Sequence, residues 1–303
     1  MRSMNAPHAA PALFLLCALG SAACQPDAEP TPPRHAGAVI DPHVHVLFDP
    51  GQAAAMNEAQ PPTPEAVLAL VDADPRLTVG AMVMARGAPA DVEAQNDQLL
   101  AFAGKHERIF PIASINPHNG EDALLELERL AEAGVRWIKL HPNTQKFDVG
   151  DPEVAAVVAG AGAHGLVVTF DASMVLDADQ LGKFVMLAAS NPDTTIVLAH
   201  MGMARFDEMI ALKLFESYPW WNRNVWLELS VTNVVYADSP REEELRWLVR
   251  QVGVDRTLFA SDFPFATPAQ AIDATERLGF EPTELELLFE VNAAKLLGGT
   301  RPN

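Results

Sequence analysis

A chain of 303 residues that is 49% hydrophobic and 20% charged can bury a real core and is not a disordered polymer. Its 40 acidic side chains against 21 basic ones give a net charge of −19, which excludes the basic face that nucleic acid needs. Anionic lipid repels such a chain, and past the N-terminus no apolar run approaches the ~20 residues of a spanning helix, so only an N-terminal lipid anchor is left as a route to a membrane.

Residues 1–23 have the order of an export signal: Arg2, the apolar run Pro11–Leu19, then small residues ahead of a cleavage point. Cys24, directly after that point, resembles the lipid-modified cysteine of a bacterial lipoprotein, although Ser21 stands where such signals usually carry Leu. The expectation is an exported protein, periplasmic or tethered to the membrane as a lipoprotein. Cys17 and Cys24 are the chain's two cysteines, so the mature domain has neither a disulfide nor a catalytic thiol. Residues 24–37 are rich in Pro and Ala without periodicity and read as a flexible tether.

From residue 38 to 303 the pattern becomes regular. The first β-branched apolar run, 38–46, is followed by a helix that Thr63, Pro64 and Glu65 open and that runs through Ala73. Runs at 78–85 and 109–115 come next, then an amphipathic helix at 123–134 closed by Gly134. Strands are predicted at 135–140, 166–171, 195–200 and 225–230. Ser239-Pro240-Arg241-Glu242 predicts a helix with Pro at its first position, ahead of a last strand at 257–262 and a helix from Thr283 to Leu297. Eight strand–helix units in this length make a single (β/α)8 TIM barrel. A doubly wound open sheet is the alternative, weakened because no Gly-x-Gly-x-x-Gly follows the first strand.

In such a barrel the chemistry sits at the C-terminal strand ends. Asp41, His43 and His45 share one parity and are expected on one side of the first strand. Lys139 and His141 end the fourth strand, Asp171 the fifth, His200 the sixth and Asp262 the eighth. Ionisable tails on apolar strands need a shared partner when buried. A divalent cation serves, and histidines with carboxylates suit Zn²⁺, Mn²⁺ or Fe²⁺. His106, His118 and His164 lie in loops or helix ends and read as solvent-facing, and His35 belongs to the tether.

The segments IDPHVH, IKLHP, LAHMG and FASDFP, with the closing VNAAKLLG, resemble the amidohydrolase superfamily over about residues 38–298. They look most like its amidohydrolase-2 branch of metal-dependent TIM-barrel hydrolases and decarboxylases. The resemblance implies metal ligation by His43, His45 and Asp262, with His200 as the strand-6 histidine. Where the family carries a strand-5 histidine, this chain has Asp171, a departure that keeps a ligand but tilts the site toward harder ions such as Mn²⁺. It implies one divalent ion (Zn, Mn or Fe). A two-metal site bridged by carboxylated Lys139, completed by Asp171 and His200, is the lesser alternative.

The function so implied is a hydrolase using a metal-activated water on a small carboxylate-bearing amide, ester or lactone. Asp262 is the expected general base and His200 polarises the scissile carbonyl. Arg86, Lys139, His141 and Arg205 are the expected cations for substrate binding. Two alternatives stay open at this point: non-oxidative decarboxylation on the same scaffold, and a tethered binding module whose catalytic site has lapsed.

Overall fold

The computed structural model describes residues 34–173 and 177–298. The export signal, Cys24 and most of the tether lie outside the described residues. Of the tether, the described residues 34–37 include His35, which contacts the barrel. The His35 N–H donates to Glu276 (2.8 Å), its carbonyl accepts from the Arg76 guanidinium (2.6 Å), and its ring stacks on Phe289.

Eight strands follow in chain order: β1 Val39–His45, β2 Leu77–Met82, β3 Ile109–Ser114, β4 Trp137–Leu140, β5 Val167–Asp171, β6 Thr195–Ala199, β7 Val225–Glu228 and β8 Thr257–Leu258. Each pairs with the next in parallel, and helices fill the connections. The two edges of the sheet meet where the His45 N–H donates to the Phe263 carbonyl at 2.9 Å, beside a parallel bridge between Val44 and Phe263. This is the (β/α)8 barrel that the sequence predicts. Among the described residues, no helix is long and apolar enough to cross a membrane.

The helix opened by Thr63 spans Pro64–Ala73, with the Thr63 hydroxyl accepting from the Ala66 N–H. The helix Glu121–Glu132 ends at Gly134, whose φ of +87° only glycine adopts freely. Two expectations shift. Pro240 does not open its helix, because Ser239–Glu242 forms a hydrogen-bonded turn and the helix begins at Glu242. The last strand stops at Leu258, because the chain then turns off the sheet toward Asp262.

Side chains of alternate parity divide the core in two. Ile40, Met82, Ile112, Trp137, Val167, Val197, Trp226 and Leu258, one from each strand, pack inside the barrel. Their neighbours, among them Val39, Ile138, Val168, Leu198, Leu227 and Phe259, pack outward against the helices. The inner set forms a floor under the C-terminal mouth, and the next inward residues above it are polar: Lys139, Thr169 and Glu228. β1 breaks the rule. A bulge between Asp41 and Val44 shifts its register, so His43 and His45 point inward although Ile40 does too. Asp41 therefore does not share a face with the two histidines, as strict alternation predicts. It is buried in the seam between β1 and the segment after β8, accepting from the backbone N–H groups of His43 and Ser261 (both 3.1 Å).

Candidate metal centre

At the C-terminal mouth a cavity of about 470 Å³ is lined by His43, His45, Arg86, Lys139, His141, Asp171, His200 and Asp262, together with uncharged side chains from the segments that follow β1, β2 and β4. The strand ends and the loops that follow them thus bring together eight of the nine residues singled out for catalysis, metal or substrate, Asp262 coming from the loop after β8. Arg205 is the exception. Its guanidinium binds Glu208 (2.7 Å) and the carbonyl oxygens of Asp177 and Ala178, and it does not line this cavity.

His43, His200 and Asp262 each offer one ligand atom, and these atoms all lie within 4.8 Å of one another. His200, expected beside the ion, stands inside this group. His45 and Asp171 stand next to it: His45 Nε2 is 3.1 Å from Asp262 Oδ1, and Asp171 Oδ2 is 3.0 Å from His200 Nε2. Donors that share an ion at ~2.1 Å are themselves about 3.0–3.4 Å apart. The observed spacings have that scale.

The backbone helps to aim these groups. His200 and Asp262 both sit in the left-handed region, at φ +64° and +59°, where a side chain with a Cβ costs about 1 kcal/mol or more. Such strain at two residues of one donor group marks positions held for what their side chains do.

Ring nitrogens show why a cation fits. His43 Nδ1–H donates to Glu228 Oε1 at 2.6 Å, which leaves a lone pair on Nε2. Burial, with the nearby charge of Lys139, pushes the His43 imidazole well below its ordinary pKa, so it is neutral. Yet Nε2 faces Asp262 Oδ1 at 3.1 Å. Burial opposes ionisation of Asp262, but the hydrogen bond with His45 and the positive charge of His200 outweigh it and hold its carboxyl below the usual range. Two lone pairs confronted at hydrogen-bond distance require positive charge between or beside them. Lys139 Nζ, 3.3 Å from His43 Nε2, supplies part of it, and a divalent ion suits this set of donors.

Asp171 Oδ1 accepts from the Ser173 hydroxyl (3.0 Å), while Oδ2 faces both His200 and, at 3.6 Å, His141 Nε2. Burial alone lowers the pKa of His200, but its bond to Asp171 and the charges of Asp262 and Asp171 lift it to about 9 in the metal-free site. His141 goes the other way: burial pushes it to about 4, so it offers a neutral N–H and not the expected positive charge. Neither Arg86 nor Lys139 has a carboxylate within 4.0 Å among the described residues, so both are available to an anionic ligand.

Glu228 was not among the residues that the sequence singled out. The signal was there: it is the ionisable tail of VWLE, two positions after inward-facing Trp226. His118 and His164 are exposed, as expected, while His106 is half-buried against Phe102.

The sequence profile of the amidohydrolase family matches residues 40–299. The chain belongs to that family. No curated protein matches this amidohydrolase. Solved structures share its fold at low identity. A 2,6-dihydroxybenzoate decarboxylase from Rhizobium is 16% identical, covering 86% of this chain and 99% of its own, with a TM-score of 0.68. A dihydroxybenzoic acid decarboxylase from Polaromonas, with bound manganese and 2-nitroresorcinol, is 17% identical over 88% and 98% at a TM-score of 0.66. A Pseudomonas putida protein provisionally named 2-pyrone-4,6-dicarboxylic acid hydrolase is 19% identical over 86% and 97% at 0.61. The amidohydrolase keeps their barrel and differs in most of its residues.

Proposed function

We propose that this amidohydrolase is a metal-dependent hydrolase of a small carboxylate-bearing amide, ester or lactone. The observation that carries the reading is an ionised Asp262 facing two imidazoles in the cavity that also holds Lys139 and Arg86, cations with no carboxylate within 4.0 Å among the described residues. His43, His200 and Asp262 are the residues to hold one divalent ion, with His45 and Asp171 completing the donor set. Three imidazole nitrogens and two carboxylate oxygens suit Mn²⁺ at least as well as Zn²⁺, in keeping with the manganese of the Polaromonas enzyme. An ion held there would supply Lewis acidity to the scissile carbonyl and to the attacking water. Asp262 takes the proton from that water. Lys139 and Arg86 bind the substrate carboxylate, and His141 donates its Nε2–H to a neutral oxygen at the mouth.

Decarboxylation is the second reading, favoured by the two dihydroxybenzoate decarboxylases that share the fold. The chain is stripped with chelator, reloaded with Mn²⁺ or Zn²⁺, and given pyrone and ester carboxylates beside hydroxybenzoates. Metal-dependent hydrolysis without CO₂ release supports the proposal. CO₂ release without hydrolysis overturns it in favour of the second reading, and bound metal with neither reaction leaves a binding module.

Export and lipidation at Cys24 belong to the same proposal. They rest on the order of residues 1–24 alone.

A further inference from the structure

Two imidazoles of the donor group converge on one buried carboxylate. His43 Nδ1–H donates to Glu228 Oε1 at 2.6 Å. The Ser230 hydroxyl donates to the same oxygen at 2.6 Å, which turns a hydroxyl lone pair toward His200 Nδ1, 3.0 Å away. The Ser230 carbonyl accepts from that nitrogen too, at 3.3 Å. Glu228 and Ser230 have no solvent exposure, and Glu228 Oε2 has no hydrogen-bond partner among the described residues.

A fully buried carboxylate with an unpartnered oxygen is an expensive structural strut, since burying a charge costs several kcal/mol and an amide or apolar side chain would fill the space more cheaply. What the carboxylate does is chemical. It draws the ring proton of His43 onto Nδ1 directly, and it fixes the rotor of Ser230 so that His200 is held in the same way. With the proton of each neutral ring kept on Nδ1, Nε2 is the nitrogen left to share an ion with Asp262. β7 supplies the geometry: Glu228 is its last inward residue, and Ser230 follows where the strand has ended.

We propose that Glu228, acting directly on His43 and through Ser230 on His200, is the positioning residue that sets the tautomers of both imidazoles and so prepares the site for its ion. This rests on the metal reading above, and the test separates the two. Metal affinity is measured by chelator competition, and imidazole ¹⁵N shifts by NMR of the metal-free chain at about pH 10, where the His200 ring is neutral, for wild type, Glu228→Leu, Glu228→Gln, Ser230→Ala and the Glu228→Leu/Ser230→Ala double variant.

Glu228→Leu is expected to weaken metal binding by about 10–100-fold and to move the His43 and His200 signals away from the Nδ1–H form. Glu228→Gln keeps an oxygen acceptor and is expected to restore much of the shift pattern. Ser230→Ala is expected to move only the His200 signals, and the double variant to bind metal no worse than Glu228→Leu, because both changes cut one chain of bonds. Additive losses, or unchanged ¹⁵N shifts in Glu228→Leu with only a lower Tm, would overturn the proposal. A wild-type chain that takes up no ion would refute the metal reading, while the shifts of the metal-free chain would still decide the role of Glu228.

Discussion

Replacing Asp171 with Asn tests the proposed donor that stands where the family resemblance implies a histidine. The side chain keeps its size and its bond to Ser173 but loses the charge that faces His200 at 3.0 Å. In the metal-free chain that charge, with Asp262, lifts His200 from 6.5 to about 9 against its burial. At 1.36 kcal/mol per pKa unit, the full rise corresponds to about 3 kcal/mol of folding stability. Asp171 supplies a large share, so Asp171→Asn should destabilise by about 2 kcal/mol.

The sign follows from both partners. His200 has a raised folded pKa, so its contribution is complete below 6.5 and is lost as pH climbs through about 9. Asp171 is opposed by burial but drawn well below its ordinary 3.8 by the His200 bond, so its contribution holds above 3.8 and fails only in stronger acid. Denaturant unfolding in chelator at several pH values, wild type beside variant, should therefore show the largest difference between pH 4 and 6.5 and little above pH 10. A constant difference across that range, or none at pH 6, would refute the ion pair. With metal present, the same variant should bind its ion at least ~10-fold more weakly.

Other outcomes are equally concrete. Arg86→Gln removes a charged hydrogen-bond donor from the cavity and should raise KM for a carboxylate substrate by about 10–100-fold with a smaller change in kcat; an unchanged KM would take Arg86 out of the binding site. Arg205→Ala should leave kcat/KM within about two-fold, because its guanidinium is engaged by Glu208 and the cavity does not include it; a large loss would return it to the substrate. Leu127→Ala, in the helix packed on the outer face of the barrel, should cost about 2–5 kcal/mol by urea unfolding. Mass spectrometry of the exported chain should find Cys24 first, carrying acyl groups, and an intact chain starting at Met1 would contradict the reading of the N-terminus.

Much of this was legible in the residues because barrels translate sequence position into depth. Each strand expected from a β-branched run lies within a few residues of its place, and Lys139, Asp171 and His200 end up at the mouth because they end their strands. The failures share a cause: they depend on contacts between segments distant in sequence. The bulge that separates Asp41 from His43 and His45 exists because Asp41 is pinned to Ser261, 220 residues away. The positive charge expected of His141 is removed by burial, which no local pattern reports. Arg205 sits just after His200 in sequence, but the turn through Met201–Met203 directs it to Glu208 and the carbonyl oxygens of Asp177 and Ala178. Glu228 was overlooked because a lone acid in a strand carries no motif until its partner His43, from the opposite end of the chain, is in view.

The claim on which the rest depends is that His43, His200 and Asp262 hold one divalent ion. Isothermal titration of the chelator-stripped chain with Mn²⁺ and with Zn²⁺ tests it, alongside His43→Ala and Asp262→Ala. The account predicts one ion per wild-type chain and at least ~100-fold weaker binding in each variant. Uptake of no ion by the wild type, or undiminished uptake by both variants, would contradict it.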